Sequence, residues 1–247
     1  MGGALGVAPL VSVIIPVYNG EGYLAEALVS AVRQDYGPKE IIVVDDGSTD
    51  GSREVARSFG PCLNLASQEN CGTGAARNRG VELAKGSLLT FLDQDDVWSE
   101  EKLSRQVEAL VNDQEVQVVF SHVEQFCSPD MPSDFQNRLS FDSSPVPGFL
   151  PSSMMIRREA FERVGPFETE WQIGEWANWY GRYQQVGLKT RILPETLVRR
   201  RLHKGNKGIQ LREFRSEYLE IVRAAVQRRK LTEIVKASAN RVRRTKR

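Results

Sequence analysis

A repeated alternation in the first 112 residues constrains the fold most: a short apolar run, a polar cluster, an amphipathic stretch, then the same again. Val11–Val17 is rich in β-branched residues, is stopped by Pro16 and Asn19-Gly20, and reads as a buried strand. Residues 21–34 then place Leu24, Ala27, Leu28, Ala31 and Val32 on one helical face. A second strand over 41–44 ends in Asp45-Asp46-Gly47, and Ser48 or Thr49 is expected to cap a helix running through Phe59. A third strand is expected at 62–66, a helix at 73–85 closed by Gly86, and a fourth strand at 87–92 ending at Asp93. Ser99 is expected to cap a helix over 99–112, with Glu100 and Glu101 in the first turn, where carboxylates suit the dipole. Such repetition folds as α/β, with a parallel sheet and helices on both faces.

Beyond a strand at 116–123 the pattern loosens. Residues 128–151 carry five prolines and few apolar residues, which predicts a long loop or small excursion over a site. Helices are expected at 158–164 and 174–186, strands at 188–193 and 197–202, and a helix at 209–229 that runs into a basic tail. At 247 residues, against about 150 per domain, one sizeable domain with an appendage fits.

Composition excludes several classes. With 40% hydrophobic and 26% charged residues the chain is neither disordered nor fibrous. No run approaches the roughly 20 apolar residues of a membrane span, and the first ten residues lack the basic and apolar regions of a secretory signal. Three cysteines (Cys62, Cys71, Cys127) without a C-x-x-C argue against a disulfide scaffold or structural zinc and suit a cytoplasmic setting. The net charge of +1 hides an asymmetry: residues 223–247 hold ten Lys or Arg and one acid, leaving a mildly acidic body. The body is no nucleic-acid surface by charge, whereas the tail suits an anionic surface.

The strand ends carry the chemistry, because ligands of open α/β sheets bind beyond the carboxyl ends of strands. Here those ends are Pro16-Val17-Tyr18-Asn19, Asp45 to Asp50, and Asp93-Gln94-Asp95-Asp96. Turn chemistry alone explains one such cluster; three at one edge call for a ligand. Asp93-Gln94-Asp95 has the spacing of a clamp for Mg²⁺ or Mn²⁺, with Asp93 and Asp95 facing one way and Gln94 the other. Gly72-x-Gly74 before a helix permits an anion site, but Arg77 stands where the dinucleotide fingerprint needs its third glycine. Arg77 can hold a phosphate, stack on a base, or lie on a solvated helix face.

These four motifs, in this order, resemble family 2 glycosyltransferases of the GT-A fold, and the resemblance covers about residues 10–205. It implies a Rossmann-like α/β fold with a mixed, mainly parallel central sheet flanked by helices, one domain with a C-terminal helix. The implied organisation is a flexible 1–9, a catalytic domain 10–207 (nucleotide-sugar half 10–112, acceptor-side half 113–207), a helix 208–230 and a basic tail 231–247. It also implies a nucleotide-diphosphate-sugar donor with a lean to UDP or dTDP, a divalent Mn²⁺ or Mg²⁺, and inversion at the anomeric carbon. Pro16, Tyr18 and Asn19 would line the base and ribose pocket, Asp45 or Asp46 would meet the base, and Arg77 would lie near base or diphosphate. Asp93 would lie near ribose and sugar, with Gln94 beside it, and Asp95 on the metal. The acceptor would be a saccharide, lipid-linked or peptide group, and the basic tail would give peripheral membrane contact.

The second half departs from the family at one place. Where the acceptor-side helix usually opens with Glu-Asp, this chain has Glu175-Trp176, and Asn178 stands where many relatives have another Asp. Glu175 is then the expected base; Glu168 or Glu170 could supply it instead, the acceptor could need little base, or the chain could be catalytically silent. Glu175 capping its helix is the plain alternative. Trp176 and Trp179 share a helical face and serve core packing or an acceptor platform. Arg201-Leu202-His203 resembles a late family segment whose His completes the metal shell or touches diphosphate; a solvated basic loop is its plain alternative. His122 has no motif around it and reads as structural. The rival readings are a silent sugar-nucleotide or glycan-binding module and a nucleotidyltransferase. The latter is disfavoured because Tyr18-Asn19-Gly20-Glu21 replaces the Gly-rich basic first loop it needs.

Overall fold

The structure is a computed structural model that describes residues 8–129, 131, 143–171, 173–206, 220, 221 and 223. Its first half follows the alternation: β1 (Val11–Val17), α1 (Glu21–Val32), β2 (Lys39–Asp45), α2 (Ser52–Ser58), β3 (Asn64–Ser67), α3 (Thr73–Leu83) and β4 (Leu88–Phe91). After β5 (Val97–Trp98) and α4 (Lys102–Asn112) come β6 (Val118–Cys127), β7 (Val146–Pro147), β8 (Met155–Arg157), α5 (Arg158–Val164), α6 (Glu175–Val186) and β9 (Thr190–Leu202). The sheet runs β3-β2-β1-β4-β8-β6-β9-β5, with β7 on β6.

Strands β3, β2, β1 and β4 are parallel, so Val17 lies beside Asp45 and Ile14 beside Phe91. Their polar carboxyl ends therefore share one edge. β8 then pairs antiparallel with both β4 and β6, and β6 runs parallel to β9 through a bulge at Ser121–Val123. The short β5 turns back against β9, with Val97 opposite Arg199 and Trp98 opposite Val198. That return brings the residues after Leu202 back to the end of β4.

Period-two alternation divides the core. Val11, Val13, Ile15 and Val17 face α1 and α4. Ile14 faces the opposite layer, with Phe91, Phe120, Phe161 and Trp179. A Cβ at Gly80 of α3 would sit 2.3 Å from the Ile14 side chain, so only glycine lets this helix lie so close to β1.

Several expectations are corrected. Ser48 and Thr49 cap nothing; α2 starts at Ser52 behind Gly51, because Ser48 and Thr49 serve the first loop instead. Ser99 does not cap α4, which starts at Lys102 behind Glu101; the Ser99 amide bonds to Leu197 O in β9. The third strand starts at Asn64, after a 3-10 turn. The two late strands are one continuous β9. The expected C-terminal helix lies almost wholly outside the described residues, although Glu220, Ile221 and Arg223 are helical; the 1–9 arm is described only from residue 8, the 128–151 excursion only in part, and the tail beyond 230 not at all. No described helix is long and apolar enough to cross a membrane.

Candidate active site

The first two strand ends interlock. Asn19, at φ +47°, accepts the Thr49 N–H on Oδ1 at 2.8 Å and donates its own N–H to Ser48 Oγ at 3.0 Å. The Glu21 N–H bonds to Asp50 Oδ2, and Gly51 N–H returns to Glu21 Oε2, both at 3.0 Å. The Asn19 side chain thus staples two loops. Pro16 is buried opposite Val44. Tyr18, 42% exposed, leaves its ring open at the edge.

Asp45 and Asp46 are both buried but differently employed. Asp45 is taken by Arg53, with Nη2 at 2.7 Å and Nε at 3.0 Å, and by the Ser48 N–H. Asp46 is the floor of the loop before α3: it accepts Gln68 Nε2 at 2.8 Å and the Cys71 and Gly72 amides at 2.9 and 2.8 Å.

The turn after β4 sends its side chains three ways, not two. Gln94 makes a reciprocal pair with the Tyr18 backbone, Tyr18 N–H to Oε1 at 2.8 Å and Nε2 to Tyr18 O at 3.0 Å. Asp93 receives Arg77 Nη2 at 2.6 Å. Asp95 Oδ2 lies 2.8 Å from His203 Nε2 and 3.2 Å from Asn206 Nδ2. The His203 ring packs on Tyr23 with centroids 4.3 Å apart, and the Gly205 N–H meets its Nδ1. Asp96 is buried, accepting Ser152 Oγ at 2.7 Å and the Arg201 N–H at 3.1 Å. Burial, with Asp95 and Asp93 adding to it, pushes the Asp96 carboxyl well above the usual carboxylate range. Among the described residues no group of three or more His, Cys, Asp and Glu converges as a metal shell.

Two further residues brace this turn: Ser152, which sequence reasoning missed, and Arg201, which it named only as a neighbour of His203. Ser152 Oγ also accepts the Asp93 N–H. Arg201 donates Nε to Asp95 O at 3.0 Å, pairs with Glu26, and lies over Tyr23 and Phe126. Both act over long sequence separations, so the only available signal was the place of Arg201 two residues before His203.

On the other side, Gly174 at φ +84° opens α6, which has no side-chain cap bond. Glu175 therefore does not cap its helix. Its Oε1 accepts Arg77 Nη1 at 3.0 Å, and its side chain is 13% exposed. Arg77 is only 3% exposed, with each Nη on a carboxylate. Burial alone would lower the basicity of the guanidinium, but Asp93 and Glu175 hold it above its usual value. Trp179 is fully buried against Phe161 and Phe167, which removes it from an acceptor platform. Trp176 is partly buried, stacks on Trp179 at 5.3 Å, and donates Nε1 to Phe149 O at 2.8 Å. Asn178 is buried and accepts Arg182 Nε at 3.3 Å. Glu168 accepts Trp171 Nε1 at 3.1 Å and lies 3.6 Å from Arg182; Glu170 is exposed. His122 sits in β6 opposite Pro147.

The glycosyl transferase family 2 profile matches residues 12–165. An uncharacterized glycosyltransferase of Nostoc is 35% identical over 225 residues, 84% of this chain and 69% of that protein. An uncharacterized glycosyltransferase of Rickettsia prowazekii is 45% identical over 103 residues, 42% of this chain and 32% of its own length. The chain thus covers about a third of that relative, and 42% of the length of Bacillus subtilis TuaG, a putative teichuronic acid biosynthesis glycosyltransferase 38% identical over 107 residues. Among solved structures, Staphylococcus aureus TarS superposes with a TM-score of 0.67 at 20% identity, over 87% of this chain and 38% of TarS. Its 1–349 fragment has been solved with UDP (TM-score 0.62, 21% identity, 78% of this chain and 61% of that one).

Proposed function

The chain belongs to glycosyl transferase family 2, and from that membership we propose that it moves a sugar from a UDP- or dTDP-sugar to an acceptor hydroxyl, with inversion at the anomeric carbon. The observation that carries the reading is the meeting of Asp95 and His203 across 108 positions of sequence, at the edge where the strand ends gather. The TarS complex with UDP favours a uridine nucleotide.

The donor atoms suit a hard divalent cation. Asp95 Oδ2 and His203 Nε2, 2.8 Å apart, are the two side-chain atoms that would hold it. Bound there, Mn²⁺ or Mg²⁺ would supply Lewis-acid stabilisation to the charge that a departing nucleoside diphosphate gains. The chain's own residues do the rest. The exposed Tyr18 ring offers a face to the base, and Pro16, Asn19 and Asp46 line the same strand ends. Asp93, 31% exposed, accepts hydroxyls of ribose or sugar. Glu175 takes the acceptor proton on its second oxygen, and Trp176 shapes the acceptor side in place of the usual carboxylate. The acceptor is a saccharide, lipid-linked or peptide group, and the basic residues beyond 223 hold the enzyme near an anionic membrane face.

A panel of UDP- and dTDP-sugars assayed for nucleotide release with Mn²⁺ tests the activity. Slow hydrolysis of one donor without acceptor is the expected result. Binding of a donor with no turnover of any would establish the second reading, a silent sugar-nucleotide module, which Trp176 at the Asp position favours.

A further inference from the structure

Arg77 lies between the two halves of the site, and its surroundings suit no role as a phosphate ligand. Its side chain is 3% exposed. Nη2 holds Asp93 Oδ1 at 2.6 Å and Nη1 holds Glu175 Oε1 at 3.0 Å. Its Nε is buried with no hydrogen-bond partner among the described residues, so two carboxylates alone hold the fork. The Phe167 ring lies 5.5 Å from the guanidinium carbon.

The helix around it is built to bring those carboxylates together. One residue on, Asn78 makes a reciprocal pair with the Phe167 backbone, Nδ2 to O at 2.8 Å and N–H to Oδ1 at 2.9 Å. One turn earlier, Gly74 has no Cβ; one there would lie 3.0 Å from Glu168 O and 3.7 Å from the Glu175 Cβ. Gly74, Arg77 and Asn78 therefore dock Phe167, Glu168 and Glu175 onto α3. Arg77 alone also reaches the donor-side turn after β4. A planar guanidinium can grip two carboxylates in fixed directions, which a lysine ammonium cannot.

We propose that Arg77 is a positioning residue that fixes Glu175 opposite the donor and couples it to Asp93, without touching the diphosphate. The proposal rests on the reading of Glu175 as the base. Because Asp93 is partly open to solvent and Glu175 nearly closed, a donor hydroxyl on Asp93 bears on the same guanidinium that aims Glu175. Filling the donor site and readying the acceptor site then become one event.

The test is a double-mutant cycle with the nucleotide sugar that turns over in the panel above, read as kcat, donor KM and UDP affinity by calorimetry. Arg77→Lys is expected to lower kcat about tenfold to a hundredfold and leave Mn²⁺-dependent UDP affinity within about threefold. In a Glu175→Gln background the same change should cost less than about twofold, since both act through one group. Full additivity, or a UDP affinity that falls with kcat, overturns the proposal and makes Arg77 a donor ligand. Failure of the underlying reading shows separately, as a parental kcat in Glu175→Gln alone. If Arg77→Lys does not fold, Glu175→Asp carries the test, because it draws the carboxylate one methylene back from Arg77. Lost kcat with kept UDP affinity supports the coupling, and a parental kcat overturns it.

Discussion

The two halves of the site are built by opposite means. On the donor side, strand ends adjacent in the sheet staple one another with short polar side chains, as in the Asn19–Thr49 and Gln94–Tyr18 pairs. On the acceptor side, Glu175 opens a helix with no cap of its own and is held by one buried ion pair across 98 positions of sequence. The first design spreads its strength over many local bonds. The second concentrates it in Arg77. The donor edge should therefore tolerate single losses in its staples and fail only at its ligand atoms, while the acceptor side should fail at a single contact.

The largest effect expected is at Asp95. Asp95→Asn should abolish Mn²⁺-dependent nucleotide binding and all turnover, with the melting temperature unchanged or higher, because repulsion from Asp93 and Asp96 falls. Calorimetry and thermal melts read both, and a mutant with parental Mn²⁺-dependent affinity would break the donor half of the comparison. Next is Glu175→Gln, expected to cost roughly 10²–10⁴ in kcat with UDP affinity kept.

Smaller effects sharpen the contrast. Gly80→Ala drives a Cβ into Ile14 and should cost about 1–3 kcal/mol by denaturant titration, since overpacking forces backbone shifts. Gln94→Ala removes one of several staples, and the donor KM should rise by less than about tenfold with kcat held; a collapse of kcat would show that the donor edge is as brittle as the acceptor side.

Lys102 gives the subtlest test. It is buried behind the carboxylate turn, donates to Gln106 Oε1 at 2.7 Å and Thr90 Oγ1 at 3.1 Å, and sits 4.0 Å over the Trp98 ring. Burial holds its amine well below the usual lysine range. The unfolded chain then binds a proton that the folded chain does not, so this group makes stability rise with pH from its folded pKa up to about 10.4. Lys102→Met should flatten the rise in melting temperature as pH climbs toward about 10.4. An unchanged slope would count against a neutral buried amine.

Sequence legibility follows the same division. Strand ends on the donor side were readable because β-branched runs stop at turn residues, and because parallel register aligns those stops. β5 and β8 were not readable: two or three residues long, they exist through antiparallel pairing with distant partners. The capping roles given to Ser48 and Ser99 failed because both groups bond across to other elements instead. Asp95 and His203 were named from motifs, but Ser152, Arg201 and the clamp role of Arg77 depend on contacts that no local pattern encodes. Trp176 and Trp179 looked alike at helical spacing; only packing against Phe161 and Phe167 separates the buried ring from the partly open one.

The most direct test of the central claim is a calorimetric titration of UDP into the parent and into His203→Ala, each with Mn²⁺ and with EDTA. The account predicts binding in the parent that weakens at least about tenfold, or about 1.4 kcal/mol, on chelation, and weak binding in His203→Ala that chelation no longer changes. Equal UDP affinity with Mn²⁺ and EDTA in the parent would contradict it.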